Sequence, residues 1–181
     1  IKTNVVVVGG GGSGLASAIA AQQAGAKVIV LEKLGILGGS TNVSEGALNA
    51  ADPQRQGKQG IEDSIQKHYE QTMKGGHNIG NPELVHYLTD HALESVHWLE
   101  SIGVKFKDEV GTATGALWQR SHYPATPSGN TYIRSFEKYI AAHGNDMKVY
   151  TDMDAVSLIQ DKAGRVIGVI AKDNHTGKTT K

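Results

Sequence analysis

Near its start the chain reads Val5-Val6-Val7-Val8-Gly9-Gly10-Gly11-Gly12-Ser13-Gly14, a buried-strand pattern that leads directly into the spacing Gly9-x-Gly11-x-x-Gly14. In such a turn Gly9 permits the sharp change from strand to helix, Gly11 lets the backbone approach phosphate groups, and Gly14 lets the helix pack close to the strand. The helix that follows points free N–H groups at an anion. Residues 9–14, which we call the glycine turn, are therefore predicted to hold the pyrophosphate of a dinucleotide.

The glycine triplet alone is weak evidence for a dinucleotide site in a chain with 23 glycines. The residues after the glycine turn strengthen this interpretation. Residues 15–24 have helical spacing and meet a stop signal at Gly25. Residues 27–31 predict a second buried parallel strand. That strand ends at Glu32, eighteen residues beyond Gly14, where an acid would meet the ribose hydroxyls of an adenosine. The alternative is an ordinary βαβ unit with a glycine-rich turn.

The composition indicates a globular domain with a small-molecule partner. The 181 residues, with 39% hydrophobic content, suffice for one core, so we expect one domain. Eighteen Lys and Arg balance eighteen Asp and Glu, which favours neither nucleic acid nor an anionic membrane as partner. The absence of cysteine excludes a disulfide, a thiolate zinc site, a cysteinyl iron–sulfur cluster and a catalytic thiol within this chain.

Neither a membrane span nor a signal peptide is evident in the sequence. No apolar run approaches the roughly 20 residues that cross a bilayer, and no basic region followed by an apolar stretch opens the chain. We therefore expect a cytoplasmic protein, although the start at Ile1 rather than at methionine leaves an upstream targeting segment open.

The pattern divides the predicted domain into three consecutive segments. Residues 1–50 form the βαβ start and a loop rich in Gly, Ser, Thr and Asn, residues 51–145 form a helical insertion, and residues 146–181 form a β segment. At the beginning of the insertion, residues 51–59 are expected to be polar and exposed, with Pro53 as a breaker.

Three helices are predicted in the insertion. Apolar residues at every fourth position indicate a helix from Ile61 that ends at Gly75-Gly76. The signal Asn81-Pro82-Glu83 starts a second helix that runs to about Ser101, and a third covers residues 132–143. The apolar stripe of the second helix is predicted to consist of Leu84, Leu88, Ala92, Val96 and Leu99.

The β segment contains three predicted strands, at residues 147–150, 155–160 and 165–171. Residues 161–164 form a hairpin turn between the last two strands, and residues 175–181 are predicted to form another turn. An open Rossmann sheet normally has more parallel strands than the two at the start of this chain. We therefore expect the fold to be incomplete at Lys181.

The histidines indicate no metal site. His86, His91 and His97 are five and six residues apart, whereas a zinc-binding helix uses the spacing i, i+4. His122 differs, because it lies in an irregular stretch, residues 120–124, where polar side chains could face a ligand. The sequence leaves a role near the site and a packing role equally open for His122.

Several further motifs follow one another along the chain. They are Leu31-Glu32-Lys33, Gly38-Gly39-Ser40-Thr41, Ser44-Glu-Gly-Ala-Leu-Asn-Ala-Ala51, Thr72-Met-Lys-Gly-Gly76, Asn81-Pro-Glu-Leu-Val85, Arg120-Ser-His122 and Gly164-Arg-Val-Ile-Gly168. In this order they resemble the FAD-binding half of the fumarate reductase and succinate dehydrogenase flavoprotein family, most closely its soluble, flavocytochrome c-like branch. The resemblance implies an α/β, Rossmann-like FAD-binding domain that combines the βαβ start with the helical insertion and a β-hairpin.

The resemblance also implies the cofactor site. The glycine turn would hold the FAD pyrophosphate, Glu32 the adenosine ribose, and the backbone at Ala155 or Val156 the adenine. The implied cofactor-binding residues are Gly9, Gly11, Gly12, Ser13, Gly14, Glu32, Lys33, Gly38, Gly39, Ser40, Thr41, Glu45, Gly46, Ala47, Ala155 and Val156.

On the flavin side, the resemblance places Ser40 and Thr41 at the phosphate and the ribityl chain. Residues 45–47 would run along the isoalloxazine, with the backbone of Gly46 close to the substrate as well. Ser40 stands where membrane-bound relatives have the histidine that bonds covalently to flavin, which implies non-covalent FAD.

One segment departs from the family. Where relatives have Arg-Pro and then Gly-Gly after the histidine, this chain has Tyr123-Pro124 and Thr126-Pro127-Ser128-Gly129. The family's capping domain, its proton-donating arginine and the residues that clamp a dicarboxylate lie beyond residue 181. The chain is therefore expected to contain no catalytic residue and to be inactive alone.

In the whole enzyme, the resemblance implies that reduced flavin N5 passes hydride to the double bond of fumarate or a related enoate, while the arginine protonates the neighbouring carbon. The electron donor is not indicated. Two alternatives are a non-catalytic nucleotide-binding fragment and an NAD-dependent dehydrogenase, the second of which the loop of residues 38–51 disfavours.

Overall fold

The computed structural model describes residues 1–126 and 128–181. Pro127, part of the departure from the family at residues 126–129, lies outside the described residues. In chain order the elements are β1 (Val5–Val8), α1 (Gly12–Gln23), β2 (Val28–Leu31), a 3₁₀ turn (Gly39–Val43), β3 (Leu48–Asn49), α2 (Pro53–Lys58), α3 (Ile65–Gly75), α4 (Pro82–Ser101), β4 (Ser121–His122), α5 (Asn130–Ala142), β5 (Met147–Tyr150), β6 (Met153–Gln160), β7 (Val166–Asp173) and β8 (Thr179–Thr180).

The chain divides into two compact units. Unit 1 comprises residues 1–44 and 132–181, and unit 2 comprises residues 45–131. These boundaries differ from the three consecutive segments that we expected, since most of α5 belongs with unit 1. The hydroxyl of Tyr139 on α5 donates to Gln22 Oε1 on α1 at 2.9 Å, a long-range contact that sequence order does not reveal.

Unit 1 contains the predicted βαβ start. The strands β1, β2 and β5 form a parallel sheet in the order β1-β2-β5, and α1 buries Leu15, Ala18 and Ile19 completely. All of β2 is buried. The prediction of a buried β1 is wrong, since residues 5–7 are half-buried and Val8 is 57% exposed; among the described strands β1 lies at the edge of the sheet.

The β segment of unit 1 forms an antiparallel sheet in the order β6-β7-β8. The predicted hairpin between β6 and β7 is confirmed, with Gly164 at a positive φ of 81° and Asp161 Oδ1 accepting from the Ala163 and Arg165 N–H groups. The stretch predicted as a final turn also contains β8, which pairs with β7. Ala171 of β7 packs with Ile29 and Leu31 of β2, which joins the two sheets of unit 1.

Unit 2 contains α2, which the sequence analysis missed. Residues 51–59 were expected to be exposed, but Asp52 and Gln56 are only 2% and 1% exposed. Asp52 Oδ1 accepts from the N–H groups of Gln54 and Arg55, and Pro53 occupies the first helical position. Asp-Pro is thus a helix start here, like Asn81-Pro82, and not a break.

The two longer helices of unit 2 were predicted with some errors. Helix α3 begins after Ser64, whose hydroxyl oxygen caps it, so Ile61 lies outside the helix. Helix α4 has the predicted bounds and its Asn81 cap. Its predicted apolar stripe is wrong at Leu84 and Leu88, which are 69% and 58% exposed, because only the C-terminal half of the stripe is covered.

Candidate cofactor site

The glycine turn joins β1 to α1 as the sequence predicts. Gly9 has a φ of +102° and its N–H donates to Leu31 O of β2 at 2.8 Å. Gly11 is the N-cap of α1 and has no side chain to satisfy the N–H groups of the first helical turn. No acidic residue lies in that turn, so these N–H groups are suited to an anion.

Three glycines of the turn, Gly10, Gly12 and Gly14, pack so closely on their neighbours that an added Cβ would lie under 3.0 Å from another atom. A Cβ at Gly14 would lie 1.9 Å from Gly9 O, and a Cβ at Gly12 would lie 2.5 Å from Thr41 Oγ1. Ser13, between them, is exposed. The glycines therefore permit the close packing of the turn on itself and on the loop that carries Thr41.

The structure brings the loop of residues 38–41 beside the glycine turn. Gly38 N donates to Gly10 O at 2.8 Å, and Gly11 and Gly38 form a parallel bridge. Gly38 and Gly39 have positive φ values of 111° and 48°, which favour glycine. Ser40 is exposed and Thr41 is half-buried in the 3₁₀ turn that follows.

Glu32 lies at the end of β2, where the sequence predicts a ribose ligand, and is 8% exposed. Its Oε2 accepts from the Gly10 N–H at 2.7 Å and its Oε1 from the Leu34 N–H at 2.8 Å. The carboxylate thus ties the glycine turn to the loop after β2. Gly10 was missed as a functional residue, although the run of four glycines contains it; a Cβ there would lie 2.5 Å from Leu37 Cδ2.

The residues predicted near the adenine lie on β6, the strand that begins beside Glu32. Met153, the first residue of β6, donates its N–H to Glu32 O at 2.9 Å. Ala155 and Val156 lie further along β6, where the pairing with β7 is irregular. Lys33 is exposed, and its carbonyl accepts from Asn174 Nδ2.

Unit 2 contains the predicted flavin-side residues 45–47. Gly46 is buried with a φ of +83°, and a Cβ there would lie 2.8 Å from Gly129 N. Glu45 is exposed and Ala47 is half-buried.

The Tyr123 hydroxyl donates a hydrogen bond to the Glu45 carboxylate. Burial and this neighbouring carboxylate raise the pKa of the Tyr123 hydroxyl. Tyr123, which lies in the segment expected to depart from the family, is thus a hydrogen-bond partner of Glu45.

His122 is buried in a strand. It lies in β4 with no exposed surface, and β4 pairs antiparallel with β3 so that His122 is opposite Leu48. The stretch that we expected to be irregular is therefore strand at His122, and the side chain has the packing environment that was one of the two open alternatives. Its Nε2 lies 3.1 Å from Asp52 Oδ2, the carboxylate that also caps α2.

The Asp52 carboxylate is held in its ionised form. Burial alone would raise its pKa, but hydrogen bonds from the Arg55 N–H, His122 and the Arg55 guanidinium lower it from 3.8 to about 2. The folded state therefore has a lower pKa than the unfolded chain at this group. Such a group contributes stability above its unfolded pKa and loses that contribution as the pH falls toward its folded pKa.

We accordingly expect an Asp52→Asn variant to lose part of the acid sensitivity of the protein. Between about pH 4 and pH 2 the wild type should lose about 2 kcal/mol of unfolding free energy through this carboxylate. Urea unfolding of both proteins across that range measures the difference. Parallel pH curves would show that Asp52 is not the titrating group.

No helix among residues 1–126 and 128–181 is long and apolar enough to cross a membrane. The same residues hold no group of three or more side chains placed to bind a metal ion. Of the histidines on α4, His86 stacks on Tyr69 with ring centroids 3.6 Å apart, and His91 pairs with Glu94.

A parallel βαβ unit whose glycine turn meets a second glycine loop defines a nucleotide-binding α/β domain. Residues 4–181 match the family described as FAD binding domain, and the chain belongs to that family. The residues present fit FAD, since the glycine turn leaves a helix N-terminus without a side chain beside the loop of residues 38–41.

Several proteins are similar to the chain. It is 36% identical over 174 residues to a fumarate reductase (cytochrome) of Shewanella frigidimarina, covering 96% of this chain and 30% of the relative. It is 37% identical over 177 residues to a urocanate reductase of Eggerthella lenta, covering 97% of this chain and 29% of the relative. A flavocytochrome c3 fumarate reductase structure in an open conformation aligns with a TM-score of 0.87 at 33% identity, covering 97% of this chain and 31% of that one. The chain thus spans about 30% of the length of these relatives.

Proposed function

We propose that the chain is the FAD-binding portion of an oxidoreductase that reduces the carbon–carbon double bond of fumarate or a related enoate. The observation that carries this proposal is the junction of the glycine turn with the loop of residues 38–41, made by the hydrogen bond from Gly38 N to Gly10 O. The fumarate and urocanate reductases to which the chain is similar support the reaction class.

In this proposal the residues of unit 1 bind the adenosine diphosphate half of FAD. The glycine turn holds the pyrophosphate, and Glu32 and Lys33 lie at the ribose. Ala155 or Val156 meets the adenine through its backbone. We propose that Gly38 and Gly39 let the second loop approach the cofactor backbone, with Ser40 and Thr41 at the flavin-side phosphate and ribityl chain.

The flavin half is assigned to residues 45–47, with the backbone of Gly46 also near the substrate. Bound and reduced, flavin supplies the hydride for such a reduction, and this segment orients the ring and shields it from water. With Ser40 where covalent relatives have histidine, we propose that FAD is bound non-covalently. Substrate clamps and proton donor are assigned to a capping domain outside residues 1–181.

The native protein is therefore expected to be yellow and to release its FAD on acid treatment. With reduced viologen as electron donor, it should consume fumarate or a related enoate, measured against protein-free flavin. Full occupancy by NAD with no flavin would contradict the proposal in favour of a dehydrogenase. A flavin-loaded protein that reduces no enoate would favour the non-catalytic alternative.

A further inference from the structure

The His122 ring is surrounded by hydrogen-bond acceptors. Its Nδ1 lies 3.2 Å from Leu48 O and 3.2 Å from Arg120 O, and its Nε2 lies 3.1 Å from Asp52 Oδ2. The two carbonyl oxygens can only accept hydrogen bonds. With no exposed surface, the ring has no access to bulk water that could satisfy either nitrogen.

Asp52 is an acceptor as well. Its Oδ1 receives the N–H groups of Gln54 and Arg55, and its Oδ2 receives Arg55 Nη1 at 3.0 Å. These donors stabilise the ionised carboxylate, which has no proton to offer to His122. A neutral imidazole has one N–H and would turn the lone pair of its other nitrogen toward an acceptor, whereas an imidazolium donates from both nitrogens.

The charged groups next to the ring favour a positive ring. Asp52 and Arg55 pair with each other, and Arg55 also pairs with Glu100 of α4. These three groups sum to one negative charge, which a charged His122 neutralises. Glu100 is 33% exposed and so partly solvated, whereas the Asp52 carboxylate beside the ring is 3% exposed. The pair of Asp63 with Arg120, the residue before β4, is neutral as a pair. A buried carboxylate is unfavourable unless partners compensate its charge.

The His122 ring lies next to the end of the segment that is predicted to run along the flavin, residues 45–47. Nδ1 binds the carbonyl of Leu48, the residue that directly follows Ala47, while Nε2 binds the cap of α2. The ring therefore fixes the end of the segment of residues 45–48 to the buried network of unit 2.

We propose that His122 is a buried imidazolium that positions the segment of residues 45–48 for the flavin. The positioning role rests on the proposed function, whereas the charge of the ring stands on the geometry of unit 2 alone. His122 is a positioning residue and not a catalytic one, because it acts through the Leu48 carbonyl.

The charge is tested by ¹⁵N-histidine labelling of the flavin-loaded protein, with the His122 signals assigned by their absence from an H122Q variant. We expect both ring nitrogens to carry a proton at neutral pH, and the signals to shift when FAD is removed and restored. The signals of exposed His97 on α4 should not shift with FAD. A ring nitrogen of His122 without a proton at pH 7 would overturn the proposal. Where H122Q does not fold, an H122N variant or through-bond correlation to the backbone of the β4 residues assigns the ring independently of its protonation.

The positioning role is tested by FAD affinity in H122Q, in the double variant D52N/H122Q, and in the matched control H97Q. We expect the dissociation constant for FAD to rise about tenfold in H122Q, as for other coupled buried groups. The double variant restores charge balance but not the hydrogen bond to Leu48 O, so it should recover only the part of the loss that comes from the uncompensated Asp52 charge, while H97Q should match the wild type. Unchanged affinity in a folded H122Q would overturn the positioning role. A wild type that binds no FAD would refute the proposed function and this role with it, but would leave the protonation result to be judged separately.

Discussion

Replacing Gly14 by alanine is expected to reduce FAD affinity by at least about 100-fold, because the glycine turn cannot keep its shape around a side chain at this position. The new Cβ would lie 1.9 Å from Gly9 O and 3.0 Å from Gly9 C, both backbone atoms that cannot rotate away. Relief requires the start of α1 to move away from β1, which displaces the N–H groups proposed to hold the pyrophosphate. Titration of the apoprotein with FAD, followed by flavin fluorescence, measures the loss.

Two other glycines provide matched controls for Gly14→Ala. A Cβ at Gly57 in α2 meets nothing within 4 Å, so Gly57→Ala should leave FAD affinity unchanged and stabilise the helix by about 0.5–1 kcal/mol. A Cβ at Gly12 meets the Thr41 side chain, which can rotate, so Gly12→Ala should have an intermediate effect. Wild-type affinity in a folded Gly14→Ala variant would show that FAD does not depend on this turn.

Sequence patterns predicted those parts of the fold that local chemistry determines. The glycine spacing and the buried run of β2 specified the βαβ unit, and Asn81-Pro82 specified the start of α4. At each of these positions, the residue type is required by backbone geometry or by unpaired N–H groups. The position of Glu32 after β2 likewise follows from the length of the βαβ unit.

Most parts that the sequence left unpredicted depend on distant partners. The cap that Asp52 forms on α2 is local and was missed because Asp52-Pro53 was interpreted as a break, whereas its buried partner His122 comes from β4, 70 residues further along the chain. Leu84 and Leu88 continue the apolar stripe of α4. The spacing of apolar residues predicts which face of the helix is apolar, but not over how much of its length another element packs against that face. For Glu32, sequence spacing indicated a ribose ligand and gave no sign that both carboxylate oxygens would meet backbone N–H groups.

The second large effect is expected in unit 2, where Asp63→Asn should destabilise the protein by about 3–5 kcal/mol. The Asp63 and Arg120 side chains are 1% and 4% exposed, and Arg120 donates to both carboxylate oxygens, from Nε at 2.8 Å and from Nη2 at 2.7 Å. Although burial opposes it, the hydrogen bonds from Arg120, Gln56 and the Ser64 N–H lower the pKa of Asp63. The amide would leave a buried guanidinium without its counter-charge.

Among the described residues, His68 lies close enough to this pair for its titration to feel both charges. Burial together with Arg120 lowers the pKa of His68 to about 4, so at pH 7 it is neutral and leaves the Arg120 charge uncompensated in the variant. Urea unfolding at pH 7 measures the effect, with Glu94→Gln as the matched acid-to-amide control. Glu94 is 77% exposed in its pair with His91, and its replacement should change stability by less than about 1 kcal/mol. Equal losses in the two variants would mean that the Asp63–Arg120 pair contributes no more than a surface ion pair, and that unit 2 tolerates an unpaired buried arginine.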